Sequence, residues 1–484
     1  MVKKFLKMYF MKELSYRAIF YWLLGLIGVR IFFDWTLLEY PAVVDGLQNI
    51  IRFSLENTYY FLILFLLCSA LIALFTKEPL RRVMNFWVRL YPLIIIPPFI
   101  DRFMFGHVEG YFYARSYHFA LNFFTFFIAG DATPGLSLEI LIGLAFVFGV
   151  VYRKTRSFLK ALFCIVLINF ILAVMSTPDL FFGEARGDYV FDYFLPLYYF
   201  IPFFILFCLA IYTCAKEKIF SAFNNIRWVR SFVFVLSVCL GCIARYVFTG
   251  ELSVLYCVFG GIVAFLVWQV SVMVNDISDI EIDRQTNKTR PLVSGVITVE
   301  EYAFSAEILV FIALSFAAIA NEKVFLLACL QCVLAYVYSL KPFRLRKHFG
   351  GNVLIGVSVA VAFWMGLFMW GPQFSLNGQM WFLSFLLFCF GTLISLVKDI
   401  KDFEGDRAQG ITNIFTLCGK QKGKRITTGL IFLTLSMPAV AFANLFFVLL
   451  GGIASFLYYK FESIQAVYLF GIIATYYSLL NIIP

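Results

Sequence analysis

The sequence predicts an all-α, polytopic integral membrane protein, and three observations support this fold class. Hydrophobic residues make up 62% of the 484 residues and charged residues only 14%, with a mean hydropathy of +0.88. A soluble chain of this length could not bury so much apolar surface. Many apolar runs reach roughly 17–25 residues, enough to cross the hydrocarbon core as helices. Lys and Arg lie mostly in the short loops between these runs, as in cytoplasmic loops of membrane proteins.

The formal net charge of +10 raises the question of nucleic-acid binding. The basic residues are distributed over the loops that join apolar runs, so their pattern indicates membrane topology instead. We therefore expect membrane lipids, and no nucleic acid, among the partners. The basic, amphipathic residues 1–17 indicate a cytoplasmic segment at the membrane interface.

The sequence divides near residue 225, where the polar, basic segment Ala215–Arg230 separates two sets of apolar runs. We predict an N-terminal transmembrane module over residues 1–225, whose role the sequence does not identify, and a second domain over 226–484. The module has about six apolar runs of spanning length. They lie near residues 17–37, 58–75, 84–100, 136–152, 158–175 and 194–214. A further run, 113–130, contains ionisable side chains and is predicted not to span.

The second domain has nine apolar runs that predict nine transmembrane helices. They lie near residues 231–247, 253–274, 302–320, 325–339, 351–371, 381–397, 427–442, 444–459 and 465–483. If the first helix enters from the cytoplasm, three long loops at 275–301, 340–350 and 398–426 lie on the cytoplasmic side. These loops hold three, four and seven Lys or Arg residues respectively, and the opposite loops are almost free of them. We expect a multi-pass protein of a bacterial-type cell membrane with these loops in the cytoplasm.

Two acidic clusters share one spacing, and each lies at the cytoplasmic end of an apolar run. In each cluster three aspartates are separated by three and then four residues. The clusters comprise Asn275, Asp276, Asp279 and Asp283 in one case and Asp399, Asp402 and Asp406 in the other. Residues with this spacing lie on one face of a helix.

Three like charges on one helical face repel each other, and at a membrane boundary their cost rises further. Mg²⁺ fits such a cluster, because it prefers oxygen ligands and usually bridges one or two carboxylates to substrate phosphates. Two facing clusters would hold a diphosphate between metal ions, which would stabilise the charge that develops as diphosphate leaves carbon. Two solvated acidic loops are the alternative, but the repeated spacing on one side of the membrane favours the metal site.

Basic residues accompany both clusters. Arg and Lys bind phosphate oxygens directly, so Arg290, Lys341, Arg344 and Arg346 are candidates for this role. A cytoplasmic loop of a membrane protein is basic in any case, and a solvated loop without a phosphate role is therefore the alternative.

The second domain resembles the UbiA-type intramembrane prenyltransferase superfamily. Residues 275–283 match its first motif, NDxxDxxxD, and residues 399–406 match its second motif, DxxDxxxD. The continuation RPLVSG at 290–295 and the loop that follows Tyr338 also resemble family motifs. The similarity covers roughly residues 225–484, and nine helices are what that fold has. In detail the domain looks closest to the branches that prenylate chlorophyllide, homogentisate or geranylgeranylglyceryl phosphate.

The resemblance implies that Mg²⁺ assists transfer of a prenyl group from an isoprenyl diphosphate to a hydrophobic or aromatic acceptor, in a cavity open to the bilayer. Ionisation to an allylic carbocation would precede attack by the acceptor. One metal would be held by Asn275, Asp276, Asp279 and Asp283, and the other by Asp399, Asp402 and Asp406. The expected catalytic residues are Asp276, Asp279, Asp402 and Asp406. The expected diphosphate-binding residues are Asn275, Arg290, Tyr338, Lys341, Arg344 and Arg346.

Two other functions remain open at this point. The first keeps the fold but transfers a sugar phosphate, such as a phosphoribosyl group, to polyprenyl phosphate. The second is a lipid transporter or lipid-handling protein, which the large number of predicted helices makes conceivable. A transporter predicts ionisable residues buried in the middle of transmembrane helices, whereas the acidic clusters lie at helix ends.

Overall fold

A computed structural model of the chain describes residues 13–37, 47–106, 119–128, 132–178, 180, 188–250, 254–286, 288–369, 377–408 and 410–481. Every regular element within these residues is helical, so the all-α fold class is confirmed. The chain forms two compact units, Met1–Lys216 and Glu217–Pro484. The predicted domain boundary at 225/226 stays a prediction.

Eleven helices among the described residues are long and apolar enough to cross a membrane, or up to 13 if each bent pair counts as one span. The protein is therefore a multi-pass integral membrane protein, as predicted. The helices that begin in the first unit are α1 (Tyr16–Leu37), α2 (Leu47–Thr76), α3 (Leu80–Trp87), α4 (Pro97–Met104), α5 (Phe119–Phe124), α6 (Pro134–Thr155), α7 (Phe158–Met175) and α8 (Asp188–Asn224).

The predicted helix at 84–100 is not continuous. A 3-10 segment, Tyr91–Ile95, lies between α3 and α4, and the stretch Tyr91–Met104 is bent by 42° relative to Leu80–Trp87. Proline explains the break, since Pro92, Pro97 and Pro98 lack the N–H group that a continuous helix requires. Pro97 and Pro98 begin α4, where a missing N–H group is tolerated.

Two further predictions in the first unit fall partly outside the described residues. Residues 1–12 of the interfacial segment and 113–118, 129 and 130 of the non-spanning run are not described. The rest of the run contains the six-residue helix α5 and turns, which is too short to span a membrane.

A buried charged group lies beside the broken helix. The Arg30 guanidinium donates to both carboxylate oxygens of Asp34 at 2.9 Å and to Glu139 at 3.2 Å. It also donates to the carbonyl of Ile94, in the 3-10 segment. The Phe61 ring lies 5.5 Å from the guanidinium carbon. Arg30 thus joins α1, α6 and the broken helix, and satisfies charges that would be costly alone in an apolar region.

We predict that Arg30→Met destabilises the protein by about 3–5 kcal/mol, because two carboxylates lose their buried cation. Arg153→Gln, which removes an exposed arginine of the same unit, should change stability by no more than about 0.5 kcal/mol. Thermal unfolding of the purified protein in detergent measures both. Equal midpoints for the two variants would show that the Arg30 group contributes nothing to the fold.

The second unit contains one long helix for each of the nine predicted runs. Its helices are α9 (Trp228–Thr249), α10 (Val254–Ser278), α11 (Ile280–Thr286), α12 (Val299–Ala320), α13 (Glu322–Ser339), α14 (Gly350–Phe368), α15 (Gly378–Ala408), α16 (Ile414–Cys418), α17 (Lys420–Phe442), α18 (Phe446–Phe461) and α19 (Ile464–Leu480). The helices α18 and α19 have 16 and 17 residues, fewer than the other seven long helices.

The segment that precedes α9 packs against this unit. Lys218 forms an ion pair with Glu301 of α12 at 2.5 Å. Ala222 packs against a buried cluster that includes Met273 and Tyr302. Within the segment predicted as a polar linker, Ala215 has non-helical backbone angles and marks a kink, and residues 216–224 are helical. Residues 217–224 belong to the second unit.

Helices α9 and α14 cross at unusually close range. A Cβ atom added to Gly241 would overlap the carbonyl oxygen of Phe363, and one added to Gly366 would overlap that of Val238. Cys242 donates its thiol hydrogen to the Gly366 carbonyl at 3.5 Å. Small residues permit this approach, as at many helix contacts in membranes.

We predict that Gly366→Leu prevents close packing of α9 and α14 and lowers the yield of monodisperse protein severalfold. Gly452→Leu is the matched control, because nothing lies within 4 Å of a Cβ at that position. Size-exclusion chromatography and thermal unfolding measure both. A Gly366→Leu variant as stable as the control would contradict the close contact.

Candidate active site

A cavity of about 560 Å³ lies among six long helices and one short helix of the second unit. Both aspartate motifs line it, with Asn275, Asp279 and Asp283 from one and Asp402 and Asp406 from the other. The wall away from the motifs is mostly apolar and includes Val267, Leu334, Ile355, Val359, Ala362 and Met365. The cavity thus has a polar end at the motifs and an apolar continuation.

Helix geometry explains how the second motif reaches the cavity. Helix α15 continues past its apolar part to Ala408, so Asp399, Asp402 and Asp406 follow one another at nearly one turn each. The first motif is carried differently, because α10 ends at Ser278 and α11 begins at Ile280.

Asp276 lies outside the cavity lining, in a network of hydrogen bonds. Its carboxylate accepts from Arg227 at 2.6 Å, Arg290 at 2.9 Å and Asn225 at 2.8 Å. The Tyr302 hydroxyl also donates to it at 3.3 Å. Asp276 is only 3% exposed, so its charge is balanced within the protein.

Asp279 and Asp283 line the cavity and also form ion pairs with arginines. Arg346 bonds to Asp279, and Arg344 lies 3.5 Å from it. Arg290 bonds to Asp283 as well as to Asp276.

Asn275 extends this network. Its side-chain oxygen accepts from Arg346 and its nitrogen donates to Asp279, both at 2.9 Å. Asn275 and the three aspartates of the first motif thus all form hydrogen bonds or ion pairs, either with one another or with arginine side chains.

The carboxylates of the second motif form no ion pair with the described Lys and Arg side chains. Asp399 is buried and accepts from Asn352 at 3.1 Å. Asp406 accepts from Asn413 at 2.8 Å. Asp402 is exposed to the cavity. Two motifs with one spacing therefore have different surroundings, because arginine balances the first and neutral amides contact the second.

The predicted diphosphate-binding residues separate into two groups. Arg290, Tyr338 and Arg346 line the cavity together with Asn275. Lys341 is exposed and lies outside the lining. Arg344 also lies outside it, and its guanidinium donates to the carbonyl of Ser278 at 3.0 Å, at the end of α10. The diphosphate roles of all of these residues stay predictions.

Four further cations line the cavity. They are Arg227, Arg230, Lys398 and Lys401. The arginines precede or begin α9, and the lysines lie beside the aspartates of the second motif. The charge of Lys398 at the end of an apolar run was the available sequence signal, since buried ionisable residues in transmembrane helices are often functional.

Burial affects the arginines at the polar end. It lowers the pKa of Arg346, an effect that the nearby Asp406 carboxylate opposes. Burial likewise lowers the pKa of Arg227, and the Asp276 carboxylate opposes the shift. A guanidinium keeps its proton in proteins, so both remain cations and raise the positive potential at the motifs.

The donor atoms at the polar end suit Mg²⁺. Asp279, Asp283, Asp402 and Asp406 offer carboxylate oxygens, the ligands that this ion prefers. Within the part of the chain that the structure describes, no three His, Cys, Asp or Glu side chains converge on one point. Mg²⁺ usually takes few ligands from the protein and completes its shell with water and substrate phosphates.

Residues 235–469 match the sequence profile of the UbiA prenyltransferase family. The match confirms the resemblance that the motifs predicted for this part of the chain. A chlorophyll synthase of Arabidopsis thaliana is 31% identical over 170 residues, which are 33% of this chain and 43% of that protein. A digeranylgeranylglyceryl phosphate synthase of Pyrococcus horikoshii is 31% identical over 164 residues, 34% of this chain and 56% of that protein.

One similar solved structure is a UbiA homolog from Archaeoglobus fulgidus bound to DMAPP and Mg²⁺. It is 18% identical in sequence and has a TM-score of 0.40. The superposed region covers 52% of this chain and 98% of that structure's chain. This chain spans about half the length of the curated relatives that it matches.

We predict that Asp276→Asn lowers the free energy of unfolding by about 2 kcal/mol or more, because Arg227 and Arg290 lose a buried carboxylate. Asp402→Asn should leave it nearly unchanged, because Asp402 is exposed and forms no ion pair with the residues that the structure describes. Thermal or denaturant unfolding without added metal separates the two. Equal losses would show that the network around Asp276 does not support the fold.

Proposed function

We propose that the second unit transfers a prenyl group from an isoprenyl diphosphate to an acceptor within the membrane, with Mg²⁺ as cofactor. One observation carries this proposal: both aspartate motifs line the polar end of a single cavity whose continuation is apolar. The match of residues 235–469 to the sequence profile of the UbiA prenyltransferase family supports it.

The polar end would bind the diphosphate. Arg290 and Arg346 present guanidinium groups there, and Asn275 and Tyr338 offer further hydrogen bonds. The carboxylates of Asp279, Asp283, Asp402 and Asp406 would hold the metal. When bound, Mg²⁺ supplies positive charge that stabilises the departing diphosphate.

The apolar wall would orient the prenyl tail and exclude water from its reactive carbon. As the carbon–oxygen bond breaks, its electron pair leaves with the diphosphate, and the arginines stabilise that charge. An electron-rich atom of the acceptor then bonds to the allylic carbon, and the acceptor releases a proton. Water exclusion matters because water would otherwise capture the allylic cation.

The proposal leaves the identity of the acceptor open. It includes a cytoplasmic position for the two aspartate motifs. The Lys and Arg residues of the loops at 275–301, 340–350 and 398–426 support the cytoplasmic position. A bacterial-type cell membrane is the expected location.

The sugar-phosphate alternative predicts polar groups around the sugar, and the mostly apolar wall beyond the motifs favours a prenyl donor. The transporter alternative predicts ionisable residues inside transmembrane helices. Arg30, Asp34 and Glu139 meet that description in the first unit, but they bond to one another and to a backbone carbonyl. Their pairing indicates a structural role.

The experiment that tests the proposal measures diphosphate release by the full-length protein in detergent. Geranylgeranyl, farnesyl and phosphoribosyl diphosphates are supplied in turn with Mg²⁺ and a membrane lipid extract. We expect release from an isoprenyl donor only, and its loss on chelation with EDTA. Release from the phosphoribosyl donor alone would establish the sugar-phosphate alternative, and no release from any donor would refute enzymatic transfer.

We predict that Asp402→Ala lowers turnover at least a thousandfold, because the variant lacks a carboxylate that holds charge at the reacting diphosphate. The fold should survive, since Asp402 is exposed and forms no ion pair with the described residues. Turnover and unfolding temperature are measured on one preparation. Glu404→Ala, at an exposed position on the same helix outside the lining, is the control. A fully active Asp402→Ala variant would contradict the assignment of the metal site.

A further inference from the structure

The first aspartate of the second motif lies outside the cavity lining. On α15, the side chains of Ser395, Asp402 and Asp406 line the cavity. Asp399 does not line it and is only 9% exposed. Asp276, the first aspartate of the other motif, also lies outside the lining. The first position of each motif thus differs in its surroundings from the second and third positions.

Three side chains form a hydrogen-bonded chain between α14 and α15. The Ser395 hydroxyl donates to the side-chain oxygen of Asn352 at 2.6 Å, and the side-chain nitrogen of Asn352 donates to Asp399 at 3.1 Å. Because Ser395 occupies the oxygen of the amide, the nitrogen faces the carboxylate. All three residues are buried, so the chain satisfies polar groups that would be costly to bury without partners.

The helices α14 and α15 approach each other closely one turn away from this chain. A Cβ atom added to Gly356 would overlap the carbonyl oxygen of Phe388, and one added to Gly391 would lie 3.0 Å from the Cα atom of Gly356. Gly356 follows Asn352 by four residues, and Gly391 precedes Ser395 by four. Two contacts about one turn apart on each helix therefore fix the rotation of α15 against α14.

The rotation of α15 determines where the other two aspartates of the motif face. Asp402 and Asp406 follow Asp399 by three and seven residues, which places both within about 60° of it around the helix axis. They lie about 4.5 and 10.5 Å farther along the axis. A metal site requires its ligands to be held within about 10–20° of the productive geometry, so the contact between Asp399 and Asn352 controls the site.

We propose that Asp399 is a positioning residue and not a metal ligand. Together with Asn352 and Ser395 it fixes α15, so that Asp402 and Asp406 present their carboxylates to the ion. This inference rests on the Mg²⁺ site of the proposed function and departs from the expectation that all three aspartates of the motif hold the metal. One aspartate supports the site, and the other two bind the ion.

The test uses Mn²⁺, which also prefers carboxylate ligands, as a probe bound to the full-length protein in detergent with inorganic diphosphate. Electron paramagnetic resonance in water labelled with a magnetic oxygen isotope measures the affinity for Mn²⁺ and the number of water ligands on the bound ion. Asp402→Val should lower the affinity at least tenfold and add a water ligand, because the ion loses a carboxylate. Asn352→Ala should lower the affinity at least fivefold and also lower the unfolding temperature, because Asp399 loses its partner.

The decisive variant combines Asn352→Ala with Asp399→Val. It replaces a buried hydrogen-bonded pair by apolar groups of similar total volume, an exchange that costs little stability. The unfolding temperature should recover most of its loss, and the affinity should return to within about fivefold of that of the unaltered protein, with the same number of water ligands. The control is Glu404→Gln, which removes a charge at an exposed position of α15 outside the lining and should change neither quantity.

A double variant that binds Mn²⁺ as weakly as Asp402→Val and gains a water ligand would show that Asp399 is a ligand, and would leave the proposed prenyl transfer standing. Unchanged affinity in Asn352→Ala would also overturn the inference, because the pair would then not position α15. An unaltered protein that binds no Mn²⁺ would refute the metal site of the proposed function itself. If the double variant does not fold, Asp399→Ser decides by the same count of water ligands, because its hydroxyl still accepts from Asn352 but is a weak ligand for the ion.

Discussion

The arrangement of the second unit depends on the pairing of arginine with carboxylate at the end of an apolar helix bundle. Charges of one sign repel more strongly there than in water, because the surroundings screen them less. Arg227, Arg290, Arg344 and Arg346 come from three separate segments, and all of them bond to the first motif. The motif thereby fixes the positions of the loops around the cavity as well as contributing carboxylates to it.

The same spacing of aspartates produces two different environments. In the first motif the helix is interrupted at Asp279, and the carboxylates bond to cations from neighbouring loops. In the second motif α15 is continuous, and Asp399 and Asp406 contact the neutral amides of Asn352 and Asn413. An amide orients a carboxylate without cancelling its charge, so the second motif keeps more negative charge for a cation from solution.

The sequence predicted the helices well where their apolar runs were uninterrupted. Each of the nine runs in the second domain became one helix, because length and hydropathy suffice for that inference. The prediction of a single helix at 84–100 was wrong, because the prolines of this run interrupt the backbone hydrogen bonds. The sequence contains Pro92, Pro97 and Pro98, but the hydropathy of a run does not indicate whether prolines break the helix.

The sequence predicted the two aspartate motifs of the site, but it did not predict the side-chain contacts around them. The two aspartate motifs indicated that they would meet at one cavity, and both line it. The orientation of Asp276 depends on Asn225 and Arg227, about fifty residues earlier in the chain, and no local spacing reveals such a partner. Lys398 carried a sequence signal, a charge at the end of an apolar run, but a lysine beside an aspartate motif also resembles an ordinary helix end.

The contacts of Asn225 and Arg227 have a consequence for how this protein could be divided or recombined. The similarity to the family begins at residue 235, yet Arg227 and Arg230 already line the cavity. A chimera joined at residue 235, where the match to the family profile begins, would replace part of the cavity wall together with the N-terminal module. The region that matches the family profile is therefore shorter than the region that forms the cavity. An exchange of modules that preserves function must keep the chain from Glu217 onward.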